Sequence, residues 1–313
     1  MKLLVTGRKG QLSRSLFERS AGRKGIELVA AGRPEVDLES PGSLAAAIRA
    51  IAPDVVVNAA AYTAVDQAED EPDRAFRVNA DAAGEAAAAA HEVGAAIIQI
   101  STDYVFDGRS QERYREDAAT NPLGVYGASK LAGEVQVRVA NPDHLILRTA
   151  WVYSPFRHNF VKTMLRLATD RDQVSVIADQ WGTPTSALDI ADAILTMLDS
   201  WSAGERKGIG TTLHVAARGT CSWAEFATEI FRASVEAGGP SASVRPISSA
   251  EYPTKARRPA NSALDSARFE TMFSSPLPHR RLSLPLVVAR LVKSERNSGS
   301  ANEASSAAGN RAN

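Results

Sequence analysis

A glycine turn, Gly7-Arg8-Lys9-Gly10, lies between a short aliphatic run, Leu3-Leu4-Val5-Thr6, and a helical pattern over 11–20. No other feature constrains this chain as much. A strand that ends in a glycine turn and passes straight into a helix opens a βαβ unit, and repeated units of that kind build a parallel sheet covered on both faces. The alternation continues down the chain. Residues 26–31 read as a second strand and 44–51 as a helix capped by Ser43. Residues 54–58 read as a third strand, whose three consecutive valines suit a doubly buried sheet. A long alanine-rich helix over 73–93, a strand over 96–101, a helix over 126–140 and a strand over 144–148 complete the first half.

The turn is also the first chemical signal. Backbone N–H groups at a helix N-terminus favour an anion, so Gly7, Gly10, Gln11 and Leu12 are placed to meet a dinucleotide pyrophosphate. The third position of the G-x-x-G-x-x-G spacing is Ser13, which is still small enough for close packing. The fold class expected is α/β, a Rossmann-type doubly wound parallel sheet with a smaller C-terminal α/β substrate-binding region. The dinucleotide-binding domain spans 1–150, and 151–292 forms mainly the substrate region, with part of it returning to the first domain. From 151 onward the alternation fades. Helices read at 159–168, 188–201 and 222–237, the last capped by Ser222, and 238–278 reads as loop. The tail, 293–313, lacks large apolar residues and is expected to be disordered.

The second strand ends in Ala31-Gly32-Arg33-Pro34, without the acidic residue that would hold a ribose 2′-hydroxyl. Arg33 can pair with a 2′-phosphate, which points to NADPH with NADH as the lesser cofactor. Further on, Tyr126 and Lys130 share one helix face. A nearby ammonium favours a phenolate, so the pair is expected to lower the tyrosine toward neutrality and let it protonate a carbonyl as hydride arrives at carbon. Thr102, at a strand end, offers that oxygen a second hydrogen bond. The plainer reading of the same spacing is a surface helix pair.

Composition removes several function classes. Thirty-six Lys plus Arg balance 36 Asp plus Glu among 313 residues, which gives no basic face for nucleic acid or an anionic membrane. A single cysteine, Cys221, permits no internal disulfide, and the five histidines show no metal spacing. No run reaches the ~20 apolar residues of a membrane span, and a cytoplasmic location is expected.

The strings NAAAYTAVDQAEDEP, STDYVFDG, YGASKLAGE, RTAWVY, NFVKTMLRLA, DQWGTPTS and YPTKARRPANSALD resemble the dTDP-4-dehydrorhamnose reductase family of extended short-chain dehydrogenases, over roughly residues 1–292. The resemblance implies reduction of the C4 ketone of dTDP-4-dehydro-L-rhamnose to dTDP-L-rhamnose. It casts Tyr126 as proton donor, Lys130 as its partner and ribose ligand, and Thr102 and Asp103 as substrate contacts. It also places Ala60, Ala61, Tyr62, Asp37 and Leu38 at the cofactor and Trp151 at the sugar. Arg257 and Arg258 read alone as a solvated charged turn first, and with the resemblance they suit the substrate's pyrophosphate. Some members carry a Glu soon after the glycine turn for a magnesium-bridged dimer. Here Arg14-Ser15 stands there, so the expectation is no metal and a monomer or weak homodimer. Two alternatives stay open: another dTDP-sugar ketoreductase, and a non-catalytic regulatory subunit like that of methionine adenosyltransferase.

Overall fold

A computed structural model describes residues 1–309, with side chains through 297. Strands β1 (Lys2–Thr6), β2 (Glu27–Ala31), β3 (Val55–Asn58), β4 (Ala96–Thr102) and β5 (His144–Thr149) are joined by a sixth, Thr211–His214, in one sheet. Every pairing in it is parallel, and the order is β2-β1-β3-β4-β5 with Thr211–His214 at the far edge. The winding reverses between β1 and β3. In such sheets a crevice opens at that point, over the carboxyl ends of the strands. Leu3, Val5, Val57, Ile98 and Leu147 pack one face against helix α1 (Gln11–Ser20) and the helix Ala187–Ser202. Leu4, Val56 and Ile97 pack the other face against Leu44, Ile48 and the Ala82–Glu92 helix.

The second half builds its own core from the helices Phe160–Asp170, Trp223–Glu236 and the start of Arg280–Gly309. Beside them the strands Gln173–Ile177 and Ser243–Ile247 pair in parallel. Helix Ala187–Ser202, strand Thr211–His214 and helix Ala267–Phe273 lie with the main sheet instead.

Several local expectations are corrected. Ser43 is the first residue of the helix Ser43–Ile51; Gly42 caps it, and the Ser43 hydroxyl accepts from the Asp37 N–H. The 73–93 helix is broken into Pro72–Phe76, a π-turn at Arg77–Asp81 and Ala82–Glu92. That extra residue turns Asn79 toward Tyr62, whose N–H it accepts and whose carbonyl it bonds. The 238–278 stretch contains the strand Ser243–Ile247 and the helix Ala267–Phe273. The helix Arg280–Gly309 runs on through residues 293–309, where no order is expected from burial. Its packed face ends at Leu291 and Val292. Positions 310–313 of that expected tail lie outside the described residues.

Candidate active site

The crevice encloses about 920 Å³ and is walled by the glycine turn, the ends of β1, β3 and β4, the Val125–Ala140 helix and Trp151. Gly7 adopts φ +86°, which an L side chain resists, and a Cβ there would come within 3.3 Å of the Ala60 Cβ. Its N–H donates to the Ala31 carbonyl at 2.6 Å, locking the turn to the end of β2. Gly10 caps α1 without any side-chain bond, so the first-turn N–H groups face the crevice free for an anion. Ser13 is buried where the motif has its third glycine. Leu12 is buried, while the Gln11 amide is tied to the second half, accepting from Ser154 Oγ at 2.7 Å and Asn159 Nδ2 at 3.0 Å.

A polar ladder crosses the strand ends below the crevice. Thr6 Oγ1 donates to Asn58 Oδ1 and accepts the Ala59 and Ala60 N–H groups, which shapes the Ala60-Ala61 floor. Asn58 Nδ2 donates to Gln99 Oε1 at 2.7 Å, and Gln99 donates on to the Ile100 carbonyl. Lys130 Nζ donates to that same carbonyl at 2.6 Å. Tyr126, Lys130, Thr102 and Asp103 thus meet at one wall of the crevice. Thr102 Oγ1 donates to Asp103 Oδ1 at 2.9 Å, and burial pushes the Asp103 carboxyl up to about 6 against the help of the Ser262 and Thr102 hydroxyls.

The expected electrostatics of the pair are corrected. Burial pushes the Tyr126 phenol up to about 12, with Thr102 bonding in opposition and Asp103 adding to the rise. Lys130 is pushed down to about 8 by burial, and its ammonium points to Ile100, so no lysine charge relieves the phenol in this arrangement. A protonated phenol is the form that can donate.

Trp151 sits at φ +47° with its indole stacked on Trp223, centroids 3.3 Å apart and planes 2° from parallel. Its Nε1 donates to Ser262 Oγ. Arg33 reaches the crevice rim, where it pairs loosely with Asp37 (3.5 Å) and Glu39 (3.4 Å), and Leu38 lies buried beneath. Arg258 pairs with Asp66 at 2.7 Å and also bonds Tyr104. Arg257 is exposed and away from the crevice wall. Arg14 lies over the Phe156 ring and Ser15 donates to the Gln11 carbonyl, so no carboxylate stands at these two positions. Among the described residues no cluster of three or more His, Cys, Asp or Glu side chains can hold a metal ion.

Sequence reading missed Trp223, Thr6, Asn79 and Glu134. Most of their contacts join separate elements, 14 residues apart for Glu134 and Arg148 and 52 for Thr6 and Asn58, and no local pattern marks them. Only the Trp223 position beside the capping Ser222 carried a signal, that of a helix start.

A glycine-turned helix N-terminus at a sheet's switch point, with a Tyr–Lys pair and a threonine bonded to that tyrosine, defines a nicotinamide-dependent oxidoreductase of the extended short-chain dehydrogenase class. The chain belongs to the family described as RmlD substrate binding domain, whose profile matches residues 1–293. It is 48% identical to the dTDP-4-dehydrorhamnose reductase of Sinorhizobium fredii over 89% of this chain and 94% of that one. The Escherichia coli protein of that name is 43% identical over 77% of this chain and 81% of its own. Among solved structures, the Clostridium acetobutylicum dTDP-4-dehydrorhamnose reductase superposes with a TM-score of 0.86 at 38% identity, covering 93% of this chain and 99% of that one. The Bacillus anthracis enzyme, solved in complex with NADP, gives 0.84 at 34% identity, covering 91% and 98%.

Proposed function

We propose that this chain reduces the C4 ketone of dTDP-4-dehydro-L-rhamnose to dTDP-L-rhamnose, with NADPH preferred over NADH. The observation that carries the reading is the convergence of Tyr126, Thr102 and Lys130 on one wall of a crevice whose opposite end is the glycine turn. The residues fit a dinucleotide: Gly7 and Gly32 let the turn pack against Ala60 and the end of β2, a Cβ at Gly32 standing 3.0 Å from the Arg8 nitrogen, and Gly10 leaves the first N–H groups of α1 without a side-chain cap. When bound, a reduced nicotinamide supplies hydride to a carbonyl carbon.

The chain's own groups do the rest. Tyr126, kept protonated by burial, gives its proton to the ketone oxygen. Thr102 turns its hydroxyl from Asp103 to the same oxygen, and Asp103 is left to accept from a sugar hydroxyl. Lys130, anchored on the Ile100 carbonyl beside Thr102 and Tyr126, would hold the nicotinamide ribose. The Trp151–Trp223 stack forms an apolar wall for the sugar, and Arg258, behind the crevice lining but bonded to its Tyr104, would meet the substrate's diphosphate by leaving Asp66, with Arg257 farther out. Arg33 and Arg8 are engaged only in exposed ion pairs, which cost little to exchange for a 2′-phosphate. The glycine turn, the Arg33 end of β2 and the NADP complex of the Bacillus anthracis relative support the cofactor assignment.

Tyr126→Phe tests the reading by removing one hydroxyl. NADPH affinity should survive while turnover falls by about 10²–10⁴, the share of general acid catalysis. Turnover near that of the unmodified protein would take Tyr126 out of the mechanism. Tight NADPH binding without reduction in either form would favour the regulatory reading.

A further inference from the structure

Behind Lys130, away from the crevice, lies a charged cluster that the reaction as described does not use. Glu134 stands one helical turn beyond Lys130, and its side chain is fully buried. Oε1 accepts from Ser101 Oγ at 2.6 Å and Arg148 Nε at 2.9 Å; Oε2 accepts from Arg148 at 2.8 Å and Arg138 at 2.9 Å. Ser101 and Arg148 are register partners across β4 and β5, and Arg148 is in turn opposite His214 on the edge strand. Lys130 is anchored to Ile100, the residue next to Ser101. Consecutive residues of β4 therefore hold the lysine and the glutamate.

We infer that Glu134 is a positioning residue for Lys130, supplying from behind the crevice wall an anionic charge that keeps the lysine an ammonium. The inference rests on the ketoreductase reading for its place in the reaction. The charges around the lysine are few. Arg148 from β5 and Arg138 from the same helix are cations, and Arg138 also donates to Thr212 on the edge strand. His214, held by burial and by Arg148 at about 3, stays neutral. On the crevice side lie Tyr126, a neutral phenol, and Asp103. Burial drives Lys130 down while Glu134 opposes it. Without the carboxylate, two buried cations, Lys130 and Arg148, and the partly exposed Arg138 would stand together unopposed, and the lysine is the one that can shed its proton.

A merely structural ion pair would also tie the helix to β5, so the test uses the sign of the effect. The probe is NADPH itself, its dissociation constant measured against pH from nicotinamide fluorescence, alongside kcat. In the unmodified protein binding should weaken as pH rises through about 8, where Lys130 loses its proton. In Glu134→Gln, which keeps the shape, the weakening should begin about one pH unit lower, leaving binding roughly fivefold poorer near pH 8 and approaching tenfold above it. Arg138→Met removes a partly exposed cation and should move the onset upward by a few tenths of a unit. Shifts of opposite sign support the inference; shifts in the same direction, or none, overturn it. If Glu134→Gln does not fold, the upward shift of Arg138→Met decides alone, and its absence overturns the inference. Shifts of opposite sign without ketone reduction sink the functional reading and leave this one standing. Reduction with unmoved onsets does the reverse.

Discussion

Asp103 lies almost wholly buried beside Thr102 and accepts that hydroxyl's proton, and its removal from water pushes the carboxyl up to about 6. An unfolded aspartate titrates near 3.9, so between about 4 and 6 the folded chain binds the proton that the unfolded chain has lost. This group therefore weakens folding as pH rises through that window and leaves the full cost above it. Asp103→Asn keeps an acceptor for Thr102 and abolishes the cost. It should stabilise the protein by about 1–3 kcal/mol near pH 8, with the gain fading toward pH 4, while activity falls. Denaturation curves of both proteins at the two pH values read this, and an equal gain at both would refute the assignment. At the rim, Arg33 is two-thirds exposed and its partners lie 3.4 Å or more away. Arg33→Asp should lower the NADPH-to-NADH ratio of kcat/KM by about tenfold or more, the worth of a charge-assisted hydrogen bond. An unchanged ratio would show that the 2′-phosphate is met elsewhere.

The Val125–Ala140 helix carries Tyr126, Lys130 and Glu134, and small residues let it sit close. A Cβ on Gly127 would collide with the Tyr104 carbonyl, and one on Gly133 with the Asn79 carbonyl at the π-turn. Its first N–H is taken by Glu69 at 2.8 Å, a cap from another segment. Gly133→Ala should cost about 1–3 kcal/mol by overpacking and depress turnover by tilting the helix. A denaturation midpoint equal to that of the unmodified protein would contradict the close approach. Elements of this kind differ in how well the chain announces them. The strands of the first half were legible because Leu3-Leu4-Val5 and Val55-Val56-Val57 are buried on both faces and read as unbroken aliphatic runs. Strand Thr211–His214 is four residues long and earns its place only by pairing with β5, which no local pattern announces. Pro285 hides the helix that contains it, and Pro246 disguises an edge strand. The reacting residues were legible as motifs. Their electrostatics were not, because the phenol's rise and the lysine's fall come from burial that spacing does not encode.

The whole molecule holds its two halves together around the crevice with contacts far apart in the chain. Gln11 reaches Ser154 and Asn159, and Arg290 pairs with Glu18. Arg258 pairs with Asp66 while Lys255 bonds Asp70, so the loop expected to meet the substrate is fastened to the segment that follows the cofactor floor. Binding of a dianionic diphosphate at Arg258 would compete with Asp66, whose carboxyl that arginine holds below its usual range. No helix among the described residues is long and apolar enough to cross a membrane. The central claim, that this crevice joins a nicotinamide to a nucleotide-sugar ketone, is tested most directly by mixing the purified protein with dTDP-4-dehydro-L-rhamnose and either reduced cofactor, following cofactor oxidation and identifying the product. The result expected is oxidation of NADPH matched mole for mole by dTDP-L-rhamnose, with NADH slower. Tight binding of NADPH with no oxidation in the presence of that ketone would contradict the account.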